Sequence, residues 1–89
     1  MQFPKINMNG TDGSNLLQQY LTALSSVQSA IHAVRAIEVH GRDYQTINSD
    51  AASVAMHEHR VRLGKLDGIR DDLERIAVDI QDQIAERTV

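Results

Sequence analysis

Two long runs of apolar residues at heptad spacing predict an all-α chain: a two-helix antiparallel hairpin with an extended N-terminal arm, assembling into a helical homo-oligomer. Two further observations agree. The aromatic residues are only Phe3, Tyr20 and Tyr44, too few for the strands of a sandwich or barrel. There is no cysteine, so a chain of 89 residues has neither disulfides nor thiolate metal sites to supplement a modest core. Association with further copies is the expected supplement.

The chain reads as a single domain, 1–89. Residues 1–10 form an arm in which Phe3 and Ile6 are the anchors and Pro4 confines any strand to an edge. "GTDGS", residues 10–14, is a turn and helix-start signal, with Thr11, Asp12 or Ser14 able to cap. The first helix is expected over 14–37. Its seam is Leu17, Tyr20, Leu24, Val27, Ile31 and Val34, and Leu16, Leu21, Ala23, Ala30 and Ile37 widen the stripe.

Residues 38–48 are read as the loop, in which Gly41 offers a positive-φ exit from the first helix. The second helix is expected over 49–86, with Ser49 or Asp50 as its cap. Met56, His59, Leu63, Leu66, Leu73, Ala77, Ile80 and Ile84 form its seam, with Arg70 between Leu66 and Leu73, and Ile69 and Ile76 form a second apolar line. Gly64 and Gly68 each cost about 1 kcal/mol against alanine in a helix interior and point to a bend or a close crossing.

Length adds a constraint. At about 1.5 Å per residue the first helix is roughly 36 Å long and the second roughly 55 Å. A tight hairpin then leaves about 20 Å of the second helix, near Ile76 to Ala85, to be covered by the arm or by another subunit. Another subunit, with the arm helping, is the expected cover.

Charge is unevenly placed. The net charge is −3, with no global basic footprint for DNA. Residues 35–65 hold Arg35, Arg42, Arg60, Arg62 and Lys65 with His40, His57 and His59, whereas residues 66–89 hold seven acids and three arginines. The hairpin is therefore expected to be basic at its loop end and acidic at its tail, and associated loop ends would pool their positive groups. No stretch of about 18 apolar residues occurs, so no membrane span is expected, and the N-terminus lacks the apolar core of a signal peptide. These features are read as cytoplasmic.

Enzyme chemistry finds little support. "HEHRV" begins like a zinc-protease motif but has Val61 as its fifth residue. His57 and His59, two apart, face different sides of a helix and cannot share a metal there. There is no G-x-S-x-G, no phosphate loop and no cysteine nucleophile. No catalytic residue, metal or cofactor is assigned, and a non-enzymatic role is expected.

The candidate binding residues are His40, Arg42, Tyr44, His59, Arg60 and Arg62. In "HGRDY", Arg42 presents a planar fork for phosphate or carboxylate, Tyr44 a flat face and a hydroxyl, and His40 a ring donor. This set suits a small anionic ring-bearing ligand, such as a cyclic or small nucleotide. A structural reading stands beside it, in which Arg42 pairs with Glu38 or Asp43, Tyr44 caps the core and Gly41 is a helix cap. His59 lies on the seam, flanked by Arg60 and Arg62, which pair with Glu58 or reach a ligand held by the loop.

"INMNGT" near the start, "HGRDYQ" between the helices and "HEHRVRLGKL" in the second helix together resemble a group of small helical proteins of tailed bacteriophages. In that group a Gly-Arg-Asp-Tyr loop precedes a Glu-His-Arg segment. Gln45 stands where the group has a second Tyr, which puts aromatic stacking there in doubt. The resemblance implies a virion assembly part or an inhibitor of host defence, some such inhibitors being helical oligomers that take up nucleotide signals. Three functions are thus expected in order: sequestration of an anionic nucleotide-like signal at the loop end, inhibition of a host defence protein, and virion assembly or scaffolding.

Overall fold

The computed structural model of the chain describes residues 1–7, 10 and 12–87 and contains two long α-helices, α1 (Gly13–Arg35) and α2 (Ala51–Arg87). A single 3₁₀ turn, Gly41–Asp43, lies between them, and no strand occurs among the described residues. The helices pack side by side in a rod of 63 × 21 × 20 Å. No helix among the described residues is long and apolar enough to cross a membrane.

Asp12 starts α1: its carboxylate accepts from the Asn15 N–H at 3.4 Å, satisfying one of the free donors of the first turn. Thr11, the other residue expected to serve there, lies outside the described residues, and Ser14 sits within the helix. The helix ends at Arg35, two residues before Ile37. Ala36 closes it in αR conformation, donating to the His32 carbonyl at 3.2 Å. The positive-φ exit at Gly41 does not occur: none of the described residues has positive φ, and Gly41 opens the 3₁₀ turn instead. The β-branched pair Ile37 and Val39 favours extended backbone, so the chain has already left the helix before it reaches the glycine.

Helix α2 is launched by Asn48, whose side chain accepts from the Asp50 N–H at 2.9 Å, while the Asp50 carbonyl accepts from Val54 at 3.0 Å. The helix begins at Ala51, directly after Asp50, the second of the two residues expected at its start. The helix runs through Gly64 and Gly68 without interruption, and a Cβ built on either glycine meets nothing within 4 Å. The close crossing within the chain lies elsewhere, at Gly13, where a Cβ would stand 3.0 Å from Ile6 Cδ1 and 3.2 Å from Ile84 Cγ1.

The seams are where the spacing places them. Every member of the α1 seam is buried or half-buried, and so are all those of α2 except Met56. Helix register is the principal departure. Gly13 lies against Ile84, Tyr20 and Ala23 share a depression with Leu73, and Arg35 reaches Asp67 at 4.0 Å. Helix α1 therefore covers residues 67–84 of α2. The segment expected to overhang, Ile76 to Ala85, is the best buried part of the molecule: Ile80 is fully enclosed, and Ile76 and Ala77 are buried.

The arm completes this core without a second subunit. Ile6 is buried against Ile76 and Ile80, with Phe3, Leu16, Leu17, Tyr20 and Ile84 around them. Gln83 straps the arm down by accepting from the Ile6 N–H at 2.9 Å and donating to the Pro4 carbonyl at 3.0 Å, and Arg87 donates to the Ile6 carbonyl at 2.8 Å. The part of α2 left beyond α1 is its first half, residues 51–66, about 24 Å of helix. The connection, residues 36–50, folds back along it.

Candidate functional site

The end of α1, the returning connection and the first half of α2 enclose a cleft of about 420 Å³. Val34, Ile37 and Val39 form one side and Ala55 the other. Tyr44, Glu58, His59 and Arg62 bring polar groups to it. Each arrives for a local reason. Residues 55, 58, 59 and 62 recur at spacings of three and four and so share one face of α2. Tyr44 follows the 3₁₀ turn, its N–H bonded to the Gly41 carbonyl at 3.0 Å, and this bond aims the residue back toward the helix.

Three of the six sequence candidates, Tyr44, His59 and Arg62, thus line one cleft. Tyr44 and His59 are half-buried; Arg62 is exposed and its guanidinium stands 3.5 Å from the Glu58 carboxylate, an i,i+4 pair. That pair is open to water and contributes little, about 0–1 kcal/mol, so the guanidinium is free to exchange Glu58 for another anion. The other three candidates do not line the cleft. His40 Nε2 lies 2.8 Å from Glu38 Oε2 at the exposed start of the turn. Arg42 is exposed within the turn and pairs with neither Glu38 nor Asp43 among the described residues. Arg60 projects from a different face of α2, its guanidinium 3.6 Å from Met56 Sδ.

Comparison with protein-family models, with curated proteins and with solved structures finds no match.

Five lining residues were not among the candidates: Val34, Ile37, Val39, Ala55 and Glu58. Ile37 and Val39 carried a signal, since β-branched residues two apart suit an extended segment with one apolar side. The depression between Arg35 and Arg70 is a structural counterpart: Asp67 faces Arg70 at 3.4 Å and Arg35 at 4.0 Å, joining the end of α1 to α2. Asp67 Oδ1 is shielded from water yet has no hydrogen bond of good geometry, so this junction is held by charge more than by directed bonds. No group of three or more metal-ligating side chains occurs among the described residues.

Proposed function

We propose that this chain is a non-enzymatic, homo-oligomeric binding protein that takes a small anionic, ring-bearing ligand of nucleotide type into the cleft at its loop end. The observation that carries the reading is the convergence of Tyr44, His59 and Arg62 on one apolar-walled cleft. A ring lies between the phenol of Tyr44 and the aliphatic wall of Val34, Ile37 and Val39. Arg62 leaves Glu58 to hold the phosphate as a two-pronged donor, and His59 supplies a further polar contact. Arg42, two residues before Tyr44 in the chain, adds positive charge near this end of the molecule. The resemblance to tailed-phage proteins extends this reading to a role: removing a nucleotide-like signal used in host defence, in the host cytoplasm.

The test is calorimetric titration with a panel of cyclic and linear mono- and dinucleotides, alongside thermal melting of the same variants. Arg62→Ala and Tyr44→Ala are expected to abolish or weaken binding at unchanged or nearly unchanged melting temperature. Absence of binding across the panel, or binding that falls only in proportion to stability, sinks the proposal.

A second reading, docking on a host protein, is favoured by one observation. Ile37, Ile47, Val54, Met56 and Val61, all at the loop end, are between 40% (Met56) and 65% (Ile47) exposed. Apolar residues grouped in this way mark interaction surfaces. Capture of a defined host protein that is lost on Val54→Asp, together with no nucleotide binding, would favour it. A virion role has no observation of its own.

A further inference from the structure

Helix α2 carries opposite charge on its two halves. Residues 51–65 hold Arg60, Arg62 and Lys65 against Glu58 alone, whereas residues 67–87 hold seven acids against three arginines. The division also runs along one outer face. His57, Gly64, Asp71 and Val78 recur every seven residues, and the parallel line beside them holds Arg60 and Glu74. All six are exposed. Asp67, between Arg60 and Glu74 on that line, is engaged by Arg35 and Arg70.

At its acidic end this face opens into a groove of about 630 Å³, floored by Phe3 and Val78 and walled by Asp71, Glu74, Arg75 and Asp82. The Arg75 guanidinium lies 6.0 Å from the centre of the Phe3 ring and holds it in place. Asp71 is paired with Arg70 at 3.2 Å, but Glu74 and Asp82 enter no ion pair among the described residues. Nor does Arg60 at the basic end, whose polar contact is with Met56. The face thus carries an unpaired cation on one half and unpaired acids with an apolar floor on the other.

We propose that this face binds a second copy of the chain, antiparallel, about a two-fold axis near residue 66. Arg60 of each copy then lies over Glu74 and Asp71 of the partner subunit, and symmetry makes the contact twice. The turn carrying His57 and Arg60 enters the groove, with the aliphatic stem of Arg60 between Asp71 and Glu74 of the partner subunit and the His57 ring on the side of Val78 and Phe3 of the partner subunit. An antiparallel pair also opposes the helix macrodipoles, whereas a parallel pair sets acidic half on acidic half. Gly64 and Gly68, open to solvent at the crossing, keep the helices from being held apart there. The Tyr44 cleft lies on another face of α2 and stays free, so the two clefts stand at opposite ends of the dimer instead of pooling their cations.

This interface rests on the self-association proposed above and assigns it a surface. Sedimentation velocity in the micromolar range should show the wild-type chain as a dimer. Arg60→Glu and Glu74→Arg should each weaken dimerisation roughly 10- to 100-fold, because two attractions per dimer become repulsions. The double variant, Arg60→Glu with Glu74→Arg, should recover it, and circular dichroism should show all three folded. The chain has no cysteine, so Ser53→Cys gives one spin-label site per copy. The antiparallel arrangement separates the two labels by roughly 40 Å. A wild-type chain that stays monomeric overturns both the interface and the self-association, and leaves the groove to a cationic partner. A dimer indifferent to both charge reversals, or labels only about 10 Å apart as in a parallel pair, overturns the interface alone.

Discussion

Arg62 and Gly13 illustrate two opposite uses of a single residue. Arg62 is an exposed cation with a weak partner, so its removal barely touches the fold. Replacing it with Ala should cost a bound anion a charge-assisted hydrogen bond of about 1.5–3 kcal/mol, a 10- to 150-fold loss of affinity read by calorimetry. If Tyr44 holds the same ligand, Tyr44→Ala combined with Arg62→Ala should lose less than the sum of the two. Gly13 is the reverse case. A methyl group there meets Ile6 at 3.0 Å and Ile84 at 3.2 Å, both in or against the core. Gly13→Ala should therefore destabilise by about 1–3 kcal/mol despite alanine's better helix propensity. For a chain of this size each kcal/mol lowers the melting temperature by about 4–8 °C, and a rise in melting temperature would show that Ile6 simply moves aside.

At the scale of the element, the arm and the exposed glycines of α2 make separable predictions. The arm is bound through its backbone by Gln83 and Arg87 as well as through Ile6 and Phe3. Gln83→Ala removes two bonds to the arm, each worth about 0.5–1.5 kcal/mol. The Ile6 amide should then exchange with deuterium roughly 5- to 150-fold faster, while the amides in the middle of α2 change little. Equal acceleration across the helices would mean that arm and hairpin open together. Gly64→Ala and Gly68→Ala should each stabilise the isolated hairpin by up to about 1 kcal/mol, because a Cβ at either site meets open space. Melts at high dilution test this, and destabilisation there would place a neighbour against these glycines within the chain.

The whole molecule is a rod with a closed end and an open end. Its tail joins the arm, the start of α1 and the second half of α2 around Ile80, whose side chain is fully enclosed. Ile80→Ala should cost about 2–5 kcal/mol, a large share of what so small a core provides, and denaturant melts should register it as the most damaging of these substitutions. The loop end is thinner: the connection lies on the first half of α2 with a cleft between them and apolar side chains exposed around it. Hydrogen exchange should accordingly be slowest around residues 73–84 and faster over residues 51–60, although both stretches belong to one helix. Uniform protection along α2 would contradict this division.

Much of this molecule is local and was legible in the sequence. Heptad spacing alone determined that there are two helices and which face of each turns inward, whereas it left Thr11, Asp12 and Ser14 equal as caps and the structure shows Asp12 in that role. The grouping of His59 with Arg62 was legible too, since a spacing of three puts two residues on one helix face wherever the helix goes. Only the tertiary structure decided register. The helical period repeats every turn or two, so sliding α1 along α2 by a heptad keeps both seams inward and leaves no trace in the pattern. The choice was made by distant parts of the chain: Ile6 filling the space above Ile76 and Ile80, Gly13 admitting Ile84, and an extended Ile37–His40 segment that climbs along α2 instead of turning back at once. Because of that path the uncovered half of α2 is the basic first half. The same path brings Tyr44 to His59 and Arg62, while Arg42, two residues earlier, remains outside the cleft.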